Sequence, residues 1–163
     1  MNTDATTGGF TVPIDDRYFE DYSAGAIHTY GSLLITEEEI IDFASRFDPQ
    51  SFHVDRAAAK EGPFGGIVAS GWHTTALMMQ LFAEHYLSSV ASLGSPGVDE
   101  LRWLKPVRPG DRLHLRVHTL ETRHSRSDPG RGIVRTLAEL IDHNGAPVLR
   151  VTVINLLKTR PGS

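Results

Sequence analysis

Ser70-Gly71-Trp72-His73-Thr74-Thr75-Ala76-Leu77-Met78-Met79-Gln80-Leu81-Phe82-Ala83-Glu84-His85-Tyr86-Leu87 is the longest apolar stretch of the chain that reads as helix. Its Trp72, Ala76, Leu77, Met78, Met79, Leu81 and Phe82 go round most of the helix instead of forming one stripe. A helix apolar nearly all round is buried on most sides. Ser70 is an N-cap by residue type and position. Gly71 follows it as a small residue suited to close packing at a helix start.

Working outward, the period changes after Leu93-Gly94-Ser95-Pro96-Gly97. Leu113, Leu115, Val117 and Thr119 alternate with Arg112, His114, Arg116 and His118, the period-two pattern of a half-buried strand. A Pro109-Gly110 turn precedes it. Ile133 to His143 and Val148 to Leu157 read as two further strands, joined through the hairpin signal Asn144-Gly145. Val98 to Val107 and Thr29 to Leu34 read as two more, and the Arg-, Ser-, Pro- and Gly-rich run Ser125 to Gly132 as an exposed connection. Strands gathered behind one long helix predict an α+β protein, with about five antiparallel strands wrapped around a long central helix. The open edges of such a sheet favour pairing with a second copy of the chain, so a homodimer is expected.

Upstream, Thr36-Glu37-Glu38-Glu39 is a capping box, and Ile40, Ile41, Phe43, Ala44 and Phe47 follow at helical spacing. Pro49 disfavours helical geometry at Asp48, so this helix stops there. Asp55 to Lys60, with three alanines, reads as one or two helical turns.

The 163 residues suffice for one domain with one core, and no internal repeat breaks them up. A tail is expected over residues 1–17, a single domain over 18–158 and a short tail over 159–163. Met1 to Val12 is Thr- and Gly-rich, without the basic start and apolar stretch of a signal peptide. No apolar run is long enough to span a membrane. The net charge of −4 and the lack of a basic tract set nucleic-acid binding aside. Without cysteine there is no disulfide, thiolate nucleophile or cysteine-ligated metal, which fits a reducing compartment; a cytoplasmic protein is expected.

The chemistry-bearing run is Asp48-Pro49-Gln50-Ser51-Phe52-His53. It puts an acid and a base close together on what reads as a short irregular loop. A glycine-rich approach, Gly62-Pro63-Phe64-Gly65-Gly66, then leads to the helix start at Ser70. The first N–H groups of a helix have no intrahelical partners, so the segment combines two titratable side chains with free backbone donors. Each residue also has a plainer reading: Asp48 as a turn former before proline, His53 as a loop histidine, Trp72, Met78 and Met79 as core. His114 and His118 share the solvent-leaning face of a strand and do not suggest a metal site. Arg102, Lys105 and Arg108 form the best cluster for an anionic handle. Arg123, Arg126 and Arg131 form a second.

Three runs together, Phe47 to His53, Phe64-Gly65-Gly66-Ile67-Val68-Ala69-Ser70-Gly71-Trp72-His73, and Leu101-Arg102-Trp103-Leu104-Lys105-Pro106-Val107-Arg108-Pro109-Gly110-Asp111, resemble the MaoC-like dehydratases, relatives of the (R)-specific enoyl-CoA hydratases. The resemblance covers roughly Phe19 to Lys158. It implies a hot-dog fold, a homodimer, and hydration of trans-2-enoyl thioesters or the reverse dehydration. The carrier is CoA or acyl carrier protein, with no metal and no redox cofactor. Carried over by position, Asp48 and His53 are catalytic, with a water held between them, and the Gly71 amide faces the thioester oxygen. Ser70, Trp72, Arg102 and Lys105 are candidate substrate contacts. Two positions depart from the best-known hydratases: Gln50-Ser51 stands where they have Asn-Pro, and Ser70 where they have His. A hot-dog thioesterase and a non-catalytic acyl-thioester binding subunit are the rival readings.

Overall fold

The computed structural model describes residues 9–163. Five strands, β1 (Ile27–Leu34), β2 (Gly97–Trp103), β3 (Arg112–His124), β4 (Arg131–Ile141) and β5 (Pro147–Lys158), form one sheet in the order β1-β3-β4-β5-β2, with every neighbouring pair antiparallel. Helices α1 (Glu37–Phe47), α2 (Ser51–Val54), α3 (Arg56–Glu61) and α4 (Gly71–Leu81) stand between β1 and β2 in the chain. The helix α4 runs on into a π-helical turn, Phe82–Tyr86.

Alternation decides which face of the sheet is inward. Leu113, Leu115 and Val117 of β3, Val134, Ala138 and Leu140 of β4, and Leu149, Val151, Val153 and Leu157 of β5 are buried. They meet Met78, Leu81, Phe82 and Tyr86 of the central helix in one core. Truncating a fully buried leucine here, such as Leu115, to alanine would cost about 2–5 kcal/mol. The outer face holds a charged ladder: Glu139 pairs in register with Arg116 on one side and Arg150 on the other. Each guanidinium donates two hydrogen bonds to one carboxylate oxygen, at 2.7 to 2.9 Å. Burial pushes the Glu139 carboxyl up, but the two arginines outweigh it and hold it below its ordinary range.

Local signals account for most element ends. Thr36 Oγ1 accepts from the Glu39 N–H and the Glu39 carboxylate accepts from the Thr36 N–H, closing the capping box of α1. The β4–β5 hairpin turns through Asp142 to Gly145, with Gly145 at φ 79°, where glycine is favoured. Asp142 Oδ1 accepts from the N–H groups of Asn144 and Ala146, which holds the turn.

Four expectations are corrected. Within the expected N-terminal tail, residues 1–8 lie outside the described residues, and residues 9–17 are anchored at Phe10 and Arg17 while Gly9, Thr11, Pro13, Asp15 and Asp16 are exposed. Phe10 stacks on His28 at 4.8 Å, and Arg17 is 6% exposed. The C-terminal residues are also held, through Arg160 ion pairs to Asp16 and Asp21. The central helix is buried along one side only: Trp72, Ala76 and Met79 are exposed. A five-strand sheet covers only the side of α4 that faces it, so the opposite apolar side has no cover within one chain. The strand expected over 98–107 ends at Trp103, where the chain leaves the sheet toward Pro106.

Arg17 closes the C-terminal end of the central helix. Its Nη1 donates to the carbonyls of His85 (3.0 Å) and Tyr86 (2.8 Å), and its Nη2 to that of Val12 (3.3 Å). The guanidinium also lies 3.5 Å from the centroid of the Phe10 ring. Tyr22 Oη donates to the Tyr86 carbonyl and accepts from the Ser88 N–H, both at 2.8 Å. The Tyr86 hydroxyl meets Thr119 Oγ1 and Thr136 Oγ1 at 2.7 and 2.8 Å.

Candidate active site

Helix α1 delivers Asp48. The Asp48 N–H donates to Ala44, and its φ of −156° takes the chain out of helix before Pro49. His53 then lies on the single helical turn α2, whose geometry is set by the Gln50 carbonyl accepting from the His53 N–H at 2.9 Å. His53 is therefore on a helical turn and not on the irregular loop expected from sequence. Pro49 breaks the helix, but the run Ser51-Phe52-His53-Val54 carries no breaker and turns again at once.

Beyond α3 the glycine loop leads into an extended segment. Val68 N–H donates to the Phe52 carbonyl at 3.2 Å and Ala69 N–H to that of Val107 at 2.8 Å. This segment brings two groups to the pair. The Val68 carbonyl lies 2.6 Å from His53 Nδ1, and the Ser70 hydroxyl donates to Asp48 Oδ2 at 2.7 Å. Gln50 Nε2 donates to Asp48 Oδ1 at 2.7 Å. Both departures from the hydratase pattern thus converge on one carboxylate.

A carbonyl only accepts, so His53 Nδ1 must carry a proton and Nε2 is the working nitrogen. Nε2 stands 3.3 Å from Asp48 Oδ2, with the His53 side chain 7% exposed. Burial pushes the Asp48 carboxyl up, but the hydrogen bonds from Ser70 and Gln50 and the nearby His53 outweigh it, leaving it below its ordinary value. At 3.3 Å the two groups touch directly. The water expected between them has no room on that line and must face both from the cavity.

That cavity, of about 460 Å³, is lined by Asp48, His53 and Gly71 together. Its apolar wall comes from Phe52, Phe64, Val68, Val107 and Val148. At the start of α4 the Ser70 hydroxyl accepts from the Trp72 N–H at 3.3 Å, while the Gly71 N–H makes no hydrogen bond among the described residues. Trp103 stands against this end of the helix. Its Nε1–H donates to Thr75 Oγ1 at 3.1 Å, and its ring meets that of Trp72 edge-on at 5.2 Å. A Cβ on residue 71 would come within 2.5 Å of the Trp103 indole, so this close approach requires glycine.

The other named residues are placed as follows. Trp72 lines the cavity and is 58% exposed, a mouth residue and not core. Ser70 is fully buried beneath Asp48. Lys105 lines the cavity, but its Nζ donates to Asp142 at 2.6 Å, and this bond is the main cause holding the Asp142 carboxyl down to about 2. Arg102 lies on edge strand β2, exposed, 3.5 Å from Glu100, and does not line the cavity. Arg108 donates to the Phe64 carbonyl at 2.7 Å. Arg123, Arg126 and Arg131 line a groove at the opposite end of the β3–β4 hairpin. His73 turns away, stacked 4.7 Å from Phe43. Trp103 and the Phe52–Phe64 wall were not singled out from sequence. A tryptophan at the end of a short strand, just before Leu104-Lys105-Pro106, was the available signal for the first.

A five-strand antiparallel sheet packed against one central helix, with a pocket at the helix's first turn, defines a hot-dog protein. The chain belongs to the MaoC-like family: the sequence model of the MaoC like domain matches residues 25–139. It is 35% identical over 105 residues to the 3-hydroxyacyl-thioester dehydratase Z of Mycobacterium tuberculosis, covering 60% of this chain and 70% of that protein. It is 32% identical over 111 residues to the Bacillus subtilis protein YdeM, covering 68% of this chain and 79% of that one. The crystal structure of the MaoC-like dehydratase from Rhodospirillum rubrum superposes with a TM-score of 0.82 at 35% identity, covering 89% of this chain and 99% of the other.

Proposed function

We propose that the protein is a hydro-lyase that adds water to a trans-2-enoyl thioester, or removes it from an (R)-3-hydroxyacyl thioester, by acid–base catalysis at Asp48 and His53. The observation that carries this reading is the touching Asp48–His53 pair sharing one apolar-walled cavity with a Gly71 N–H that has no partner among the described residues. In hydration one proton must leave water as oxygen adds to Cβ, and another must reach Cα. A pair holding one working proton does both. The donors on Asp48 favour its carboxylate, so Asp48 takes the proton from water while His53 Nε2–H gives one to Cα. Charge building on the thioester oxygen is met by the Gly71 N–H at the positive end of α4.

The magnitudes require all three groups. A positioned acid or base is worth about 10²–10⁴-fold. One preorganised oxyanion donor is worth roughly 3 kcal/mol. The thioester itself acidifies Cα, so the scheme draws on no metal or redox cofactor.

The working unit is proposed to be a homodimer. The exposed side of α4, with Trp72 and Met79, and edge strand β2, with Val98 and Trp103, followed by Leu104, leave apolar surface that a second copy would cover. Sedimentation at micromolar concentration tests this, and a stable monomer would refute it.

The decisive assay follows loss of enoyl-thioester absorbance over a panel of acyl lengths and branching patterns. Release of free thiol from saturated acyl thioesters would move the assignment to a hydrolase. Tight binding across the panel without turnover would make the chain a binding subunit.

A further inference from the structure

Apart from His53 of the catalytic pair, the cavity has one basic side chain among its lining residues, Lys105, and that ammonium is already held by Asp142. A thioester carried on a phosphorylated arm brings negative charge that this cavity is not equipped to meet. Unspent positive charge lies next door. On the other side of the glycine loop is an open groove of about 420 Å³, lined by Arg56, Lys60, Gly65, Gly66, Ile67 and Arg108, with Glu37 the one carboxylate. Three cations face one acid in a chain whose net charge is −4.

The donors differ in how far they are committed. Arg56 is paired with Glu37. Arg108 spends Nη2 on the Phe64 carbonyl, while Nη1 stands beside Gly66, 3.8 Å from where a Cβ would lie. The Lys60 side chain makes no ion pair or hydrogen bond among the described residues, and neither do the backbone N–H groups of Gly66 and Ile67. Free amides of a glycine loop beside arginine and lysine make a concavity suited to phosphate oxygens. The groove and the cavity share a wall. Phe64 lines the cavity with its ring while its carbonyl is held by Arg108, and the Val68 carbonyl a few residues on anchors His53.

We propose that this groove is an anion subsite that takes a phosphate ester of the carrier arm while the acyl thioester occupies the Asp48–His53 cavity. The inference rests on the thioester reading above. The proposal requires a neutral pantetheine arm to run between the two, and the phosphate belongs either to the CoA nucleotide or to the phosphopantetheine of a carrier protein.

The test compares one enoyl group on four carriers, pantetheine, 4′-phosphopantetheine, CoA and acyl carrier protein, with wild type and Lys60→Glu. Lys60 is exposed and unpartnered, so the variant should fold. Wild type should prefer the phosphorylated arms in kcat/KM through a lower KM, and Lys60→Glu should shrink that preference about tenfold, the scale of one charge-assisted contact. A loss shared by 4′-phosphopantetheine and CoA places the arm phosphate in the groove. A loss confined to CoA places the nucleotide there, and one confined to the protein-borne substrate places the carrier-held phosphate there. An unchanged preference overturns the subsite. Calorimetric titration with free CoA separates this from the parent reading. Binding weakened about tenfold in Lys60→Glu, without turnover of any thioester, would keep the subsite and sink the hydro-lyase. Turnover with CoA binding unaffected by Lys60→Glu would do the reverse.

Discussion

The two ends of the central helix solve the same problem in opposite ways. Every helix leaves N–H groups unpaired at its start and carbonyls unpaired at its end. At the C-terminal end here, the His85 and Tyr86 carbonyls are capped by a buried Arg17 and by Tyr22, and a cation sits at the negative end of the dipole. At the N-terminal end, the Gly71 N–H is left without an acceptor among the described residues, at the edge of a cavity. One end is closed with protein groups. The other leaves its donor without a protein partner among the described residues. Polar groups are buried at both ends, and at the open end Asp48 and His53 line a cavity that a small molecule can reach.

The contrast can be broken by substitution. The largest effect belongs to the open end. Gly71→Val should abolish turnover, since even a Cβ there collides with Trp103 and with the space beside the donor. Because that variant also strains the fold, Asp48→Asn and His53→Gln carry the test. Each should lower kcat by at least about 10²-fold with little change in melting temperature. Near-wild-type turnover in either variant would remove that residue from the mechanism.

The closed end should show the mirror image. Arg17→Met strips three carbonyls of a charged donor and should lower unfolding stability by about 2–4 kcal/mol in chemical denaturation. Turnover per folded molecule should hold. A variant that is stable but inactive would show that the ends are coupled.

A smaller effect should come from Ser70→Ala. It removes a donor from the Asp48 carboxylate, so the Asp48 pKa must rise. Activity needing that carboxylate is lost as pH falls through its pKa, so the acid limb of kcat/KM should move to higher pH. A limb that stays put would mean that Asp48 is not the group titrating there. The smallest effect expected is that of Tyr86→Phe. It deletes one hydroxyl shared by Thr119 and Thr136 and should cost about 1–3 kcal/mol of stability, with the pH profile unmoved.

What the sequence made legible was local. The capping box at Thr36, the alternation of β3 and the hairpin at Asn144-Gly145 are each written within a few residues, and each is present. The pairing of Asp48 with His53 was readable because only four residues separate them. Contacts across long separations were not. Arg17 reaches carbonyls 68 and 69 residues away, and Ser70 meets a carboxylate 22 residues back. The approach of Trp103 to Gly71 depends on how β2 leaves the sheet. Trp72 read as core because its neighbours are apolar, but periodicity cannot tell a side chain covered by its own sheet from one left at a cavity mouth.

The two tryptophans are the only ones in the chain, and both border the Asp48–His53 cavity, in edge contact with each other. The protein therefore has an optical reporter confined to its candidate site. Light absorbed by indole and not by tyrosine excites only these two rings, one of them hydrogen-bonded to Thr75. Any molecule seated beside Gly71 must change their solvent contact or their mutual geometry, so emission colour and intensity should report occupancy without a label. Trp72→Phe and Trp103→Phe would assign the signal to the helix side or the strand side of the opening.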